Sequence, residues 1–190
     1  QPLIWISKLY GRPLKMNASG SDLVPTLLQA AAKEGRSVFV LGGKEDAARK
    51  AAENIKARYS GLVMAGALSP SMGFEKKPEE VAYIRETLQK GKPDILLACF
   101  GCPKQEKWVS EHYRDCASGV TLCAGATVDF LAGYIKRAPK VFSENGLEWF
   151  YRFVKEPKRL FHRYFVDDMQ IFRLAWKYRN AGPEHDSDVK

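Results

Sequence analysis

The sequence predicts an α/β protein whose mostly parallel sheet carries helices on both faces. The first observation is that short apolar runs alternate with helical patterns from residue 1 to about residue 135, which is the arrangement of βαβ units. The second is that three of these runs end at a glycine-containing turn. The third is that the chain has 190 residues, 45% of them hydrophobic, so it can bury an ordinary core.

The clearest strand–turn–helix unit begins with the unbroken apolar run from Ile95 to Phe100. Such a run is typical of a strand buried on both faces. Gly101 breaks the run, and Pro103 fits the first position of a helix. Three polar side chains then fall in the first helical turn, beside backbone N–H groups that favour an anion: Lys104, Gln105 and Glu106. A ligand site and a capped turn with solvated charges fit this pattern equally.

The other elements are predicted from hydrophobic periodicity and from the residues that begin and end helices. Strands are predicted at Pro2–Ile6, Ser37–Leu41, Leu62–Ala67 and Val120–Ala124. Helices are predicted from a cap at Ser21 or Asp22 to Gly35, from about Asp46 to Tyr59, from Pro78 to Gln89, and from Pro103 to about Cys116.

Glycine-containing turns follow three of the predicted strands, and polar side chains lie next to each. The turns are Gly42–Gly43–Lys44, Gly101 with Lys104 and Gln105, and Gly125 with Asp129. Right-handed crossovers would place all three at the carboxyl edge of the sheet, where α/β proteins bind ligands. The sequence contains neither G-x-G-x-x-G nor a P-loop pattern. Asp129 fits a hydrogen bond to a sugar hydroxyl or a base N–H, and it equally fits a helix cap.

Charge and cysteine content limit the function classes. The net charge of +8 favours an anionic partner such as phosphate, nucleic acid or an anionic membrane. Cys99 and Cys102 form a C-x-x-C pair, but it lacks a second Cys/His pair for zinc and the surroundings of a redox motif. We predict that all four cysteines are buried thiols in a reducing compartment: Cys99, Cys102, Cys116 and Cys123.

The segment 148–179 interleaves aromatic and basic residues. Four basic residues recur at three- and four-residue steps and so share one helical face: Arg152, Lys155, Arg159 and Arg163. A basic amphipathic helix with Trp and Phe is typical of a membrane interface, and a helix that packs its aromatics on the sheet fits equally. The sequence shows no signal peptide and no apolar run of the ~18 residues that a span needs. We predict a sheet domain at 1–147, a helical appendage at 148–179 and a disordered tail at 180–190.

Five motifs together resemble the WecG/TagA/CpsF glycosyltransferase family. They are Val38–Lys44, Gly101–Glu106, Gly125–Gly133, Lys136–Pro139 and Gly146–Arg152. Their order and spacing match the family from about residue 1 to residue 165. The Pro-Lys-Gln-Glu piece and the Arg-Ala-Pro…Gly-Leu-Glu-Trp pieces are specific to it.

The resemblance implies a Rossmann-like nucleotide-sugar-binding fold and an inverting bacterial glycosyltransferase. Such proteins move N-acetylmannosamine or a related hexose from a UDP-sugar donor to a saccharide on a polyprenyl diphosphate lipid. Their products feed teichoic acid, enterobacterial common antigen or exopolysaccharide synthesis. They are peripheral proteins at the cytoplasmic face of the inner membrane. No metal cofactor and no nucleic-acid partner is expected, and a homo-oligomer is left open.

The resemblance also implies roles for individual residues. Gln105 is expected to contact substrate at the reaction centre, which makes it the predicted catalytic residue. The predicted substrate-binding residues are Gly20, Ser21, Gly42, Gly43, Lys44, Gly101, Lys104, Gln105, Gly125 and Asp129. Arg152, Arg159 and Arg163 are expected to bind the lipid diphosphate acceptor and the anionic membrane surface. Arg137 belongs to the family pattern without an assigned role.

Two departures from the family pattern bear on activity. Asn17 stands where the family has an arginine. The chain begins at Gln1 and not at methionine, so we expect that upstream sequence has been removed or is missing. The family's Ala-Asp-Gly motif, with its proposed general base, would fall immediately before Gln1. Because an inverting transfer needs a base for the acceptor proton, we expect weak or no activity without that segment.

Two other function classes stay open at this point. One is a catalytically incomplete nucleotide-binding module that lacks the general-base aspartate. The other is a nucleic-acid-binding protein, which is suggested by net charge alone and by no recognition motif.

Overall fold

The computed structural model describes residues 2–11, 13–14, 20–135, 148–155, 157, 161 and 169–178. The chain divides into two compact units, one of residues 18–137 and one that combines residues 1–17 with 138–190. In chain order the helices of the described part are α1 (Pro2–Leu9), α2 (Gly20–Lys33), α3 (Ala47–Arg58), α4 (Pro78–Gly91), α5 (Lys104–His112), α6 (Thr127–Leu131), α7 (Glu148–Lys155) and α8 (Gln170–Tyr178). The strands are β1 (Ser37–Gly42), β2 (Val63–Leu68), β3 (Ile95–Cys99) and β4 (Val120–Cys123), and a 3₁₀ turn covers Phe74–Lys76.

The described strands form one parallel sheet in the order β2–β1–β3–β4. The register of the central pair runs from Val38 opposite Ile95 to Gly42 opposite Cys99. The chain passes from β1 outward to β2 and then crosses back to β3 on the other side of β1. The strand order therefore reverses between β1 and β3, and ligands of open α/β sheets bind beyond the carboxyl ends of the strands at such a point.

Two apolar clusters, one on each face of the sheet, bury the central strands. Val38 and Val40 of β1 pack with residues of α2, α3 and α6 in one cluster. Phe39 and Leu41 pack with residues of α4 and α5 in the other cluster. Since neighbouring residues of a strand point to opposite faces, a strand covered by helices on both sides is apolar at every position. This confirms the predicted fold class.

The predicted strand at Pro2–Ile6 is wrong, because these residues belong to helix α1. Helical hydrogen bonds continue beyond Ile6. The N–H of Tyr10 donates to the carbonyl of Ile6 at 3.0 Å, and the hydroxyl of Ser7 donates to the carbonyl of Ile4 at 2.8 Å. A five-residue apolar run has no distinguishing period, so it fits a strand and a helix alike.

The remaining predicted elements of residues 20–135 are present, with differences at their ends. Helix α2 begins at Gly20, so Ser21 and Asp22 lie inside its first turn and do not precede it as caps. Helix α5 begins just after Pro103 and ends at His112, several residues before Cys116. The ends of a helix are harder to predict from sequence than its middle, because they depend on which groups elsewhere in the protein satisfy the terminal N–H and C=O groups.

The smaller unit contains α1, α7 and α8 among its described residues. The hydroxyl of Tyr10 donates to the carbonyl of Ala175 in α8 at 3.1 Å. Within the described ranges, no helix has both the length and the hydrophobicity to cross a bilayer. The predicted domain limits stay a prediction, and the predicted disorder of 180–190 lies outside the described residues.

Candidate active site

The three glycine-containing turns come together at the carboxyl edge of the sheet. The N–H of Gly43 donates to the carbonyl of Cys99 at 3.1 Å, which joins the turn after β1 to the end of β3. The N–H groups of Gly101 and Gly125 both donate to Oε1 of Gln105, at 3.2 and 3.0 Å. The turns after β1, β3 and β4 are therefore neighbours, as the sequence predicts.

Glycine is required in the turn after β1 by both backbone conformation and close packing. Gly42 has φ +127°, and a Cβ there would lie 2.4 Å from the carbonyl oxygen of Cys99. Gly43 has φ +81°, and a Cβ there would lie 2.6 Å from Cβ of Ala47. A side chain at either position would force backbone or helix α3 to move.

Gln105 is buried, with 4% of its surface exposed. Its Oε1 accepts the two glycine N–H groups, and its Nε2 donates to Oε1 of Glu106 at 2.8 Å. The side chain thus links the turn after β3 to the turn after β4. Its predicted contact with substrate stays a prediction.

Lys104, at the start of α5, pairs with Glu75 of the 3₁₀ turn, with 3.1 Å between Nζ and Oε1. The pKa of Glu75 is lowered, first by a hydrogen bond from its own backbone N–H and then by Lys104. Part of the positive charge predicted at this helix start is therefore neutralised within the protein. Lys44 lies exposed on the turn after β1.

The start of α2 lies against the turn after β4. A Cβ on Gly20 would lie 3.1 Å from Oγ1 of Thr127 and 3.3 Å from the carbonyl oxygen of Ala124. Ser21 follows and is buried at 7% exposure. This close approach brings two of the predicted substrate-binding residues, Gly20 and Ser21, to the same edge as the glycine turns.

Asp129 is half-buried in α6, and its backbone carbonyl accepts the N–H of Tyr134 at 2.9 Å. Burial raises the pKa of the Cys99 thiol to about 12, and the negative charge of Asp129 contributes. The residue before Asp129, Val128, would lie 3.1 Å from a Cβ on Gly43, so the start of α6 lies at the same edge of the sheet.

Ser69, immediately after β2, is a residue of this edge that the sequence reasoning missed. Its hydroxyl donates to the carbonyl of Gly42 at 3.2 Å and accepts the N–H of Ala48 at 3.1 Å. The Ser69 hydroxyl therefore satisfies an N–H in the first turn of α3. Asp46, the residue before this helix, makes no capping hydrogen bond, and its carboxylate pairs with Arg49 at 2.9 Å. The available signal was a serine two residues after the predicted strand Leu62–Ala67.

The cysteine prediction is half wrong. Cys99 and Cys116 are buried, and burial raises the pKa of Cys116 to about 11. Cys102 and Cys123 are exposed, and all four are free thiols. Cys102 lies on the turn beyond β3, and Cys123 ends β4, a strand with β3 as its one neighbour in the described sheet. Neither residue lies on a central strand, where neighbouring strands and helices on both faces would bury its thiol.

Several predicted residues fall outside what the structure describes. Arg152 belongs to α7, but its side chain is not described, and Arg159 and Arg163 lie outside the described ranges. Asn17 and Arg137 lie outside them as well. The roles predicted for Arg152, Arg159 and Arg163 stay predictions.

Comparison with known proteins agrees with the family that the sequence motifs suggest. The model of the "Glycosyl transferase WecG/TagA/CpsF family" matches residues 1–184. A relative from Bacillus spizizenii, the N-acetylglucosaminyldiphosphoundecaprenol N-acetyl-beta-D-mannosaminyltransferase, is 28% identical over 188 residues, which are 99% of this chain and 71% of the relative. Because the family match covers almost the whole chain, including every turn of the site, this protein is a glycosyltransferase and belongs to the WecG/TagA/CpsF family.

Proposed function

We propose that the protein transfers N-acetylmannosamine, or a related hexose, from a UDP-sugar to a saccharide carried on a polyprenyl diphosphate. The relative from B. spizizenii is named for transfer of N-acetylmannosamine to N-acetylglucosaminyldiphosphoundecaprenol, which supports this substrate class. The observation that carries the proposal is the convergence of three glycine turns where the strand order reverses.

The donor is assigned to this carboxyl edge. A Cβ on Gly101 would meet nothing within 4 Å, so the turn after β3 is open, and the Lys44 ammonium supplies an exposed positive charge on the turn after β1. Asp129 supplies a carboxylate that accepts hydrogen bonds from a sugar hydroxyl or a base N–H. A site with both kinds of group suits a nucleotide sugar, in which an anionic diphosphate joins a nucleoside to a hydroxyl-rich sugar.

The reaction forms one bond and breaks one bond at the anomeric carbon. The acceptor hydroxyl attacks this carbon from the face opposite to UDP, its proton passes to a base, and the bond to the UDP oxygen breaks. Negative charge grows on the departing diphosphate, so positive groups at the edge stabilise the transition state. Metal-independent transfer remains the expectation that follows from the family.

Helices α7 and α8 are proposed to place the protein on the cytoplasmic face of the membrane that carries the acceptor lipid. Both helices expose large apolar side chains: Phe150 and Val154 in α7, and Phe172, Leu174 and Trp176 in α8. Basic side chains accompany them in α8, where Arg173 and Lys177 are exposed. Exposed aromatic and basic groups on one short helix suit an anionic interface.

Titration calorimetry with UDP tests the donor site. Replacing Lys44→Ala or Asp129→Ala is expected to weaken binding about tenfold each, because one charge-assisted contact contributes roughly 1.5 kcal/mol. The control is Lys56→Ala, which removes an exposed lysine in the last turn of α3, at the opposite edge of the sheet; its affinity should equal that of the unaltered chain.

A transfer assay with UDP-N-acetylmannosamine and a lipid-linked N-acetylglucosamine acceptor completes the test. Binding together with transfer supports the proposed function. Binding without transfer would favour a nucleotide-binding module. Absence of UDP binding would contradict the donor assignment.

A further inference from the structure

We propose that Gln105 is a positioning residue: held in place by Glu106, its amide fixes the turns after β3 and β4 relative to one another. We call these two side chains the Gln105–Glu106 clamp. The clamp itself rests on the geometry alone, and its effect on donor binding rests on the proposed function. This role differs from the direct substrate contact that the family resemblance implies for Gln105.

A single oxygen holds both turns. The N–H groups of Gly101 and Gly125 lie 3.2 and 3.0 Å from Oε1 of Gln105. An amide oxygen has two lone pairs, so these two bonds fill its accepting capacity. The N–H of Gln105 also donates to the carbonyl of Gly101 at 3.0 Å, which ties the start of α5 to the turn before it.

Glu106 sets which way the Gln105 amide faces. Nε2 of Gln105 donates to Oε1 of Glu106 at 2.8 Å. If the amide rotated by half a turn, its oxygen would face a carboxylate and its NH₂ would face two N–H donors. Because Gln105 is buried, facing its NH₂ toward two N–H donors is costly; Glu106 is exposed, so the mismatch at its carboxylate costs less. By accepting a hydrogen bond from Nε2, Glu106 therefore favours the amide orientation that holds the two turns.

The strands themselves do not hold these turns together. The β3–β4 register ends where Ala98 lies opposite Cys123, and the N–H of Ala124 still donates to the carbonyl of Ala98 at 2.9 Å. Beyond that bond the chains enter glycine turns with positive φ, +89° at Gly101 and +55° at Gly125. The Gln105 oxygen extends the β3–β4 connection by one further pair of bonds, at the position where the donor is proposed to bind.

The clamp also decides which groups are left for the donor. The N–H groups of Gly101 and Gly125 are occupied by Gln105, and that of Gly43 is occupied by Cys99. These glycines thus shape the site by their conformation and lack of a side chain, and the diphosphate contacts fall to other groups of the edge.

The first experiment measures hydrogen exchange of individual backbone amides in the full chain by NMR. Gln105→Met keeps the side-chain length and removes the oxygen, so exchange at Gly101 and Gly125 should accelerate at least about tenfold. Exchange at Gly43, whose partner is Cys99, should stay unchanged. Unchanged exchange at Gly101 and Gly125 would overturn the clamp.

The second experiment exchanges the side chains of Gln105 and Glu106 and measures the dissociation constant of UDP. Gln105→Glu places two carboxylates side by side and is expected to weaken binding at least about tenfold. Adding Glu106→Gln restores one acceptor and one donor, so the double variant should recover to within about threefold of the unaltered chain. Gln29→Glu, on an exposed face of α2, is the matched control and should bind as the unaltered chain does.

The two experiments separate the clamp from the proposed function. A double variant that binds as poorly as Gln105→Glu, while Gly101 and Gly125 exchange normally, would show that Gln105 acts on the ligand directly and would overturn the positioning role. If the unaltered chain binds no UDP, the donor assignment fails. The exchange rates of Gly101 and Gly125 still decide the clamp in that case.

Discussion

At the scale of single residues, the site edge depends on positions where any side chain would collide with the backbone. Gly42→Ala is expected to destabilise the protein more than Gly35→Ala. Both residues have positive φ, which disfavours alanine, by about 1–2 kcal/mol in the left-handed helical region where Gly35 lies, but a Cβ at Gly42 would also lie 2.4 Å from a carbonyl oxygen while one at Gly35 meets nothing within 4 Å. The extra loss should reach at least about 1 kcal/mol.

Urea unfolding of the two alanine variants measures this difference in the free energy of unfolding. Gly35 lies between α2 and β1, away from the glycine turns, so its variant measures the cost of alanine at a positive φ without a steric collision. Equal losses for the two variants would contradict the packing role assigned to Gly42.

Single residues also show where sequence reasoning stops. The glycine turns were predicted, because an apolar run followed by glycine is a local pattern. Ser69 and the bonding of Gln105 were not, because their partners are distant in the chain: Gly42 lies 27 residues before Ser69, and Gly125 lies 20 residues after Gln105. No period or spacing in the sequence marks such pairs.

At the scale of elements, the amino ends of β1 and β3 are joined by Asp94. Its Oδ2 accepts the backbone N–H and the hydroxyl of Ser37, each at 2.7 Å, and its own N–H donates to that hydroxyl at 2.9 Å. These hydrogen bonds, with a smaller contribution from Arg36, lower the pKa of Asp94. The side chain thus couples the two central strands at the edge opposite the glycine turns.

This coupling predicts a pH-dependent loss of stability in Asp94→Ala. A lowered folded-state pKa stabilises the fold at pH values above the unfolded value of about 3.9 and ceases to do so as pH falls through the folded value. The variant should therefore be less stable than the unaltered chain near neutral pH, and the difference should shrink as the solution becomes more acidic than about pH 4.

Unfolding midpoints measured across that pH range test the prediction. Glu111→Ala is the control, since it removes an exposed carboxylate of α5 to which the described residues donate no hydrogen bond. A difference for Asp94→Ala that stays constant with pH would show that the carboxylate charge does not stabilise the strand pair.

At the scale of the whole molecule, the chain combines a sheet unit with a unit whose described helices expose apolar and basic groups. We expect the full chain to bind vesicles that contain an anionic phospholipid, and to release them at high salt, because the electrostatic part of the attraction is screened. Trp176→Ser should weaken this binding, since Trp176 is 68% exposed and aromatic side chains favour the interface.

Co-sedimentation with vesicles of neutral and anionic lipid provides the measurement. Tyr83→Ser is the matched control, because Tyr83 is an exposed aromatic residue of α4 in the sheet unit. If the two variants bind equally well, α8 does not contact the membrane. Binding that is the same on neutral and anionic vesicles would contradict the role of the basic residues.

The amino-acid sequence was sufficient to predict the parallel sheet, its four strands, the three glycine turns at one edge and the family. These features are predictable because a strand buried on both faces is a run of consecutive apolar residues, and a glycine next to it ends the run. The folded chain was needed to show that α1 is a helix, that Cys102 and Cys123 are exposed, that Lys104 pairs with Glu75, and that Gln105 accepts hydrogen bonds from two turns. These features depend on which segments the strand order brings side by side, and hydrogen bonds and ion pairs form between whichever groups then lie within reach.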